Sequence, residues 1–280
     1  MKRKNYCYIH ACNINNGLSI LKELLDRITE NSLDTVLEKI RICILGETNK
    51  DLINNIERYH SKIEVIYTNK NIRLYEYPTL KLIYNFCQNN QNSNILYIHT
   101  KGATKPTNKG EIRWREYMSY FMIDKYQKCL NTLEEGYDTA GCELKTGSNK
   151  FKYLHYAGNF WWAKSEYIGR QLPDPQIFVT HNFFFRESKI YRFHAEEWIM
   201  MSNQIKPFNL FATYRNLLKY PIKLMEYLDG DKPSLNYLHV LRNSNIIDQE
   251  QYESLLLRNK NKYLLKEESK DKGNNNETNK

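Results

Sequence analysis

The sequence predicts an α/β protein with a mostly parallel sheet flanked by helices on both faces, followed by a helical C-terminal extension. Three observations lead there. Short β-rich runs alternate with segments of helical apolar spacing through the first hundred residues. The run 40–45 is almost continuously apolar, as a strand buried on both faces requires. The chain has 280 residues, 41% of them hydrophobic, enough for one large α/β core or two small ones.

The elements follow in order. Residues 6–14 form a β-rich run. In residues 18–28, Leu18, Leu21, Leu24, Leu25 and Ile28 repeat at helical spacing. The strand at 40–45 precedes a helix over 51–59, with Asp51 near its start. Residues 63–67 give a third strand. Residues 79–86 follow Pro78, which suits the first turn of a helix, and residues 95–98 give a fourth strand. Such a βαβαβαβ order makes a parallel sheet, and ligands bind beyond the carboxyl ends of its strands. The residues expected there are His10, Gly46, Glu47, Thr68, Asn69 and His99 to Lys101.

A long helix is expected over 111–133, with Trp114, Met118, Phe121, Cys129 and Leu133 as its apolar stripe. Residues 137–142 read as a strand. Pro207 marks a break, residues 208–258 read as helical, and from residue 259 the polar, low-complexity chain is expected to be disordered. The expected division is a domain over 1–205, a helical extension over 206–258 and a tail over 259–280.

Composition narrows the function. The formal charge is +9, which fits solubility, an anionic substrate, an anionic membrane surface or nucleic acid. The charge is scattered, and no RNP, zinc-finger or helix-turn-helix pattern accompanies it, so no nucleic-acid partner is expected. The six cysteines form no CxxC pair, which argues against a disulfide framework or a zinc site. No stretch approaches the ~20 apolar residues of a membrane span, and no signal sequence is apparent. A soluble cytoplasmic protein is expected, in the host cytoplasm if the chain is viral.

GxGxxG after the first strand, GxxxxGK[ST], HExxH and GxSxG are all missing, so dehydrogenase, P-loop, zincin and hydrolase chemistry lack support. Three other segments carry polar chemistry. In 95–103 an apolar strand ends in His99, Thr100, Lys101 and Gly102; alternation puts His99 and Lys101 on one side, well placed for a diphosphate, unless this is an ordinary exposed loop. In 155–163, Gly158 permits close backbone approach, Asn159 offers a donor and an acceptor, and Trp161 and Trp162 offer stacking faces or plain core packing. In 192–199, Glu196 and Glu197 offer a general base or a helix-terminus carboxylate.

Together YIHTKG, HYAGNFWWAKSEYI about 55 residues on, AEEWI some 30 residues later, and YEYPTLKLIYNFC at 75–87 resemble a group of GT-A glycosyltransferases of bacterial polysaccharide clusters and large DNA viruses. The resemblance covers about residues 6–205. It implies a Rossmann-like nucleotide-binding half joined to an acceptor half, and transfer of a sugar from a nucleotide-sugar donor, UDP-linked by default, to a glycan or other hydroxyl acceptor. It places Ile9 and His10 beside the base and Tyr75, Glu76 and Thr79 around the nucleotide. His99 and Lys101 fall where the group mostly places its acidic metal motif; the mechanism expected from this is that Lys101, helped by Arg113 or Arg115, neutralises the diphosphate. His155, Gly158, Asn159, Trp161 and Trp162 fall on the sugar and acceptor side, and Glu196 or Glu197 at the base of inverting members.

One departure from the group concerns metal. GT-A enzymes mostly hold Mn²⁺ or Mg²⁺ with Asp-x-Asp after the fourth strand, where this chain has His99, Thr100 and Lys101. That favours metal-independent transfer, or a metal held by the donor's phosphates and His99. The literal DxD at Asp229–Asp231 reads better as a turn. Two rival readings are a non-catalytic GT-A-fold protein that binds nucleotide-sugar or glycan, and a basic nucleic-acid-binding protein.

Overall fold

The computed structural model describes residues 3–145, 154–177, 190–213, 217–220, 222, 227, 249–250 and 253. The chain divides into two units, 1–221 and 222–280, and the first holds the sheet. The expected tail, the DxD at 229–231 and most of the expected helical extension lie outside the described residues.

The first four strands are β1 (Lys4–Asn13), β2 (Leu37–Gly46), β3 (Ile63–Asn69) and β4 (Ser93–His99). They are connected by α1 (Gly17–Glu30), α2 (Leu33–Val36), α3 (Lys50–Glu57), a 3₁₀ turn at Ile72–Leu74 and α4 (Tyr77–Asn89). The expected elements are all present; most are longer than expected, whereas β1 ends at Asn13 and α3 at Glu57, short of the expected 14 and 59. Ile42, Cys43, Ile44 and Leu45 are fully enclosed, so β2 is covered on both faces. The α1 stripe Ile20, Leu21, Leu24, Leu25 and Ile28 is buried. Asn49 caps α3 by accepting from the Leu52 amide at 2.8 Å, and Pro78 stands in the first turn of α4.

The helix expected over 111–133 is built in three pieces. α5 (Lys109–Ser119) passes through a π-helical turn, Tyr120–Asp124, into α6 (Tyr126–Glu134). Met118, Phe121, Cys129 and Leu133 are buried as the stripe requires. Next come β5 (Thr139–Gly141), β6 (Leu144–Lys145), β7 (His155–Tyr156), β8 (Trp161–Lys164), α7 (Ser165–Gln171), α8 (Ile190–Glu197), a 3₁₀ turn at Trp198–Met200 and β9 (Pro207–Asn209). Residues 208 and 209, read as helical in the sequence, instead extend the sheet as β9, parallel to β5.

The seven strands lie in the order β3-β2-β1-β4-β8-β5-β9. β1, β2, β3 and β4 are mutually parallel, β8 is antiparallel to both β4 and β5, and β6 pairs with β7 separately. This is a Rossmann-like α/β fold with one reversed strand. On one face Tyr8, Ile95, Tyr97, Trp161 and Ala163 pack with Leu80 and Ile83 of α4, Tyr167 and Ile168 of α7, and Trp198. Alternation turns Trp162 to the other face, where its indole N–H donates to the Met122 carbonyl at 2.9 Å. On α1, Arg27 forks onto Asp124 at 2.6 and 2.8 Å and reaches Glu116 at 2.9 Å, which ties α1 to α5 and the π turn. Among the described residues no helix is long and apolar enough to cross a membrane.

Candidate functional site

From β1 the sheet grows to β2 and β3 on one side and to β4 on the other, so strand order reverses between β1 and β4. A crevice opens beyond the carboxyl ends of two strands at such a reversal. Here a cleft of about 190 Å³ occupies that place. His10 and Cys12 of β1, the 72–76 turn, His99 at the end of β4, residues 100–104 after it and Glu111 of α5 line it.

The loop after β4 is fastened to the end of β1. The Thr100 amide donates to the His10 carbonyl at 3.0 Å, and the Thr100 hydroxyl accepts from the Cys12 amide at 2.9 Å. Asn15 donates to the Ala103 carbonyl at 3.0 Å. Gly102 has φ +92, which a residue with a Cβ adopts only under strain. The Arg115 guanidinium holds the loop from behind: it forks onto Glu23 at 3.1 and 2.9 Å and donates to the Lys101 carbonyl at 2.9 Å.

One wall carries His10, His99 and Glu76. His10 and His99 are register partners across the β1–β4 ladder. Burial keeps His10 neutral, its pKa lowered to about 4, although the Glu76 carboxylate pulls the other way. His10 Nδ1 lies 2.8 Å from the Thr79 hydroxyl. For Glu76, burial opposes ionisation; the His99 and His10 imidazoles and hydrogen bonds from Tyr97 and Asn159 outweigh it and hold the pKa below the ordinary carboxylate value. Glu76 Oε2 accepts from Tyr97 Oη at 2.8 Å and from Asn159 Nδ2. His99 Nε2 lies 2.9 Å from the Gly158 carbonyl.

The opposite wall holds Lys101. Its ammonium lies 3.4 Å from Glu111 Oε2 and 3.9 Å from the Trp114 ring centroid. Glu111 stands in the first turn of α5, where Asn108 accepts from its amide at 3.1 Å.

Of the residues expected at a nucleotide, His10, Tyr75, Glu76, His99 and Lys101 line this one cleft. Three do not. Ile9 is fully buried, since alternation turns it to the face opposite His10. Thr79 is enclosed behind His10, and Arg113, on α5, is not in the lining. Arg115 is committed to Glu23 and the loop backbone and presents no charge to the cleft.

The residues expected on the sugar side brace the site. Gly158 has φ +93, and a Cβ there would meet Met118 Sδ at 2.4 Å and Trp114 Nε1 at 2.9 Å. Asn159, fully buried at φ +58, joins Glu76 to Trp161, whose indole N–H it accepts at 2.9 Å. Trp161 and Trp162 are both fully enclosed, so neither ring has an open face for stacking. His155 is buried in β7. Glu197 is fully buried with His194 Nδ1 at 2.9 Å. Glu196 is half-buried and accepts from the Gly158 amide at 3.3 Å.

Cys12, Ile72, Arg73, Thr104 and Glu111 line the cleft without having been singled out in the sequence. Glu143, also unforeseen, follows β5 with φ +55 and is fully buried. It accepts from Tyr117 Oη at 3.3 Å and from the Thr213 amide at 2.5 Å, and its carbonyl accepts from the Ala157 amide at 3.1 Å. Five described non-glycine residues have positive φ: Asn15, Ser32, Tyr75, Glu143 and Asn159. Asn15 follows β1, Tyr75 lines the cleft, Glu143 follows β5, and Asn159 precedes β8 and bonds to Glu76 of the cleft. Strain of this kind gathers where function over-determines the backbone.

The position of the acidic metal motif does not fit a resident divalent cation. His99 faces the Gly158 carbonyl, Lys101 supplies an ammonium, and among the described residues no three His, Cys, Asp or Glu side chains are placed to hold a metal.

Three solved structures are similar at low overlap. The 4-diphosphocytidyl-2C-methyl-D-erythritol synthase from Anaerococcus prevotii DSM 20548 has 12% identity and a TM-score of 0.37, covering 76% of this chain and 90% of that one. Another 4-diphosphocytidyl-2C-methyl-D-erythritol synthase has 11% identity and a TM-score of 0.33, covering 59% and 77%. Residues 1–349 of S. aureus TarS have 10% identity and a TM-score of 0.37, covering 85% and 69%. At these TM-scores the overlap is too loose to carry an assignment of activity. No curated protein matches the chain. The family model described as domain of unknown function DUF8361 matches residues 7–226, and the chain belongs to that family.

Proposed function

We propose that the protein is a glycosyltransferase that binds the nucleoside diphosphate of a nucleotide-sugar, UDP-linked by default, in the cleft between β1 and β4. One observation carries this reading: five residues expected at a nucleotide line a single crevice at the strand-order reversal. Lys101 neutralises charge on the departing diphosphate, the work that a metal performs in enzymes with an acidic motif there. The Glu76 side, with an ionised acceptor, faces nucleoside N–H and O–H donors; the Lys101 side faces phosphate. Glu196, the more exposed of the paired carboxylates, takes the proton of a glycan or other hydroxyl acceptor. The acceptor oxygen then bonds to the anomeric carbon, the bond from that carbon to the β-phosphate oxygen breaks, the anomeric centre inverts, and nucleoside diphosphate leaves.

The test is a panel of UDP-, GDP- and dTDP-sugars with Mn²⁺ or with EDTA, read as nucleotide diphosphate release. Selective release that persists in EDTA supports the reading. Binding without release under any condition favours a non-catalytic nucleotide-sugar protein, a second reading drawn from the complete enclosure of Glu197.

A further inference from the structure

Lys101 already has an anion. Its ammonium and the Glu111 carboxylate lie 3.4 Å apart, with side chains only 9% and 11% exposed, and Trp114 backs the ammonium at 3.9 Å. Both residues line the cleft. Lys105, at 3.9 Å, reaches Glu111 from the solvent side. In the described lining the Arg73 and Lys101 cations are matched in number by the Glu76 and Glu111 carboxylates, and His10 is held neutral. Lys101 is therefore open to an incoming phosphate only when its pair with Glu111 opens.

We propose that Glu111 is a specificity-determining counter-ion that stands in for the ligand's phosphate at Lys101. An anionic ligand must take its place to bind, and it returns to Lys101 as the ligand leaves. The proposal rests on the reading of the cleft as a nucleoside diphosphate site and adds a residue that sets how tightly the anion is held. A nearly sealed ion pair is costly to leave half-broken, so only a ligand bringing comparable negative charge displaces the carboxylate. Glu111 thereby weakens retention of free diphosphate and favours product release.

The substitution Glu111→Gln removes the charge and keeps a residue suited to the third position of the helix, so the cap from Asn108 survives. Calorimetric titrations with UDP, GDP, dTDP and inorganic pyrophosphate compare wild type, Glu111→Gln, Lys101→Ala and the double variant, with thermal unfolding confirming that each folds. Glu111→Ala replaces Glu111→Gln should the latter fail to fold. The expected result is roughly fivefold or greater tightening, in Glu111→Gln, of pyrophosphate and of the nucleoside diphosphate that wild type binds, and loss of that gain in the Lys101→Ala background. Unchanged or weaker binding in Glu111→Gln of the nucleoside diphosphate that wild type binds overturns the proposal while leaving the nucleotide reading intact. So does a gain that persists without Lys101. Absence of UDP, GDP and dTDP binding in wild type and variants alike overturns both.

Discussion

His10 and His99 face each other as register partners at the carboxyl ends of β1 and β4, and both act on the carboxylate of Glu76. The pairing brings together residues 89 positions apart. It gives this wall of the cleft an anion whose charge the surroundings favour.

His10 makes folding stability depend on pH. An unfolded His10 takes up a proton near its ordinary 6.5, whereas the folded one resists until about 4. The unfolded state therefore binds more protons in that window, and stability falls as pH drops from 6.5 toward 4 and is complete above 6.5. The contribution is at most about 3 kcal/mol. Urea denaturation at pH 7 and pH 4.5 should show a smaller loss for His10→Gln than for wild type. Equal losses would mean that His10 titrates alike folded and unfolded.

Gly158→Ala should destabilise by about 2–4 kcal/mol, combining positive-φ strain with overpacking against Met118 and Trp114. Because Trp114 backs Lys101, nucleotide affinity should fall as well. A denaturation midpoint like that of wild type would show that the turn relaxes without cost.

Trp162→Phe should cost about 1–3 kcal/mol, since the Met122 carbonyl loses its buried donor and the ring shrinks. Nucleotide and acceptor kinetics should stay near wild type. A large rise in acceptor KM with unchanged stability would restore the stacking role for this indole.

The first four strands were legible because apolar runs and helical spacing are local signals, and the carboxyl ends of those strands pointed to His10, His99 and Lys101. What the sequence hid is mostly contact at a distance. Glu111 reads as an ordinary first-turn acid until its 3.4 Å approach to Lys101 is seen. Glu143 follows a strand of three residues and carries no local mark, yet it joins β5, α5 and residue 213. Alternation rightly sends Trp161 and Trp162 to opposite faces, but helices cover both faces there, so neither stays open. For Glu196 and Glu197, helix geometry separates two neighbours that the sequence treats alike: one is half-exposed beside Gly158, the other sealed against His194.

Calorimetric titration of wild type and Lys101→Ala with UDP, GDP and dTDP tests the central claim most directly. Wild type is predicted to bind one of the three selectively, and Lys101→Ala to bind it at least ~10-fold more weakly while still unfolding in a single cooperative transition at a lowered midpoint. Equal affinity in the two proteins, or no binding of any nucleoside diphosphate by wild type, would contradict the cleft's assignment.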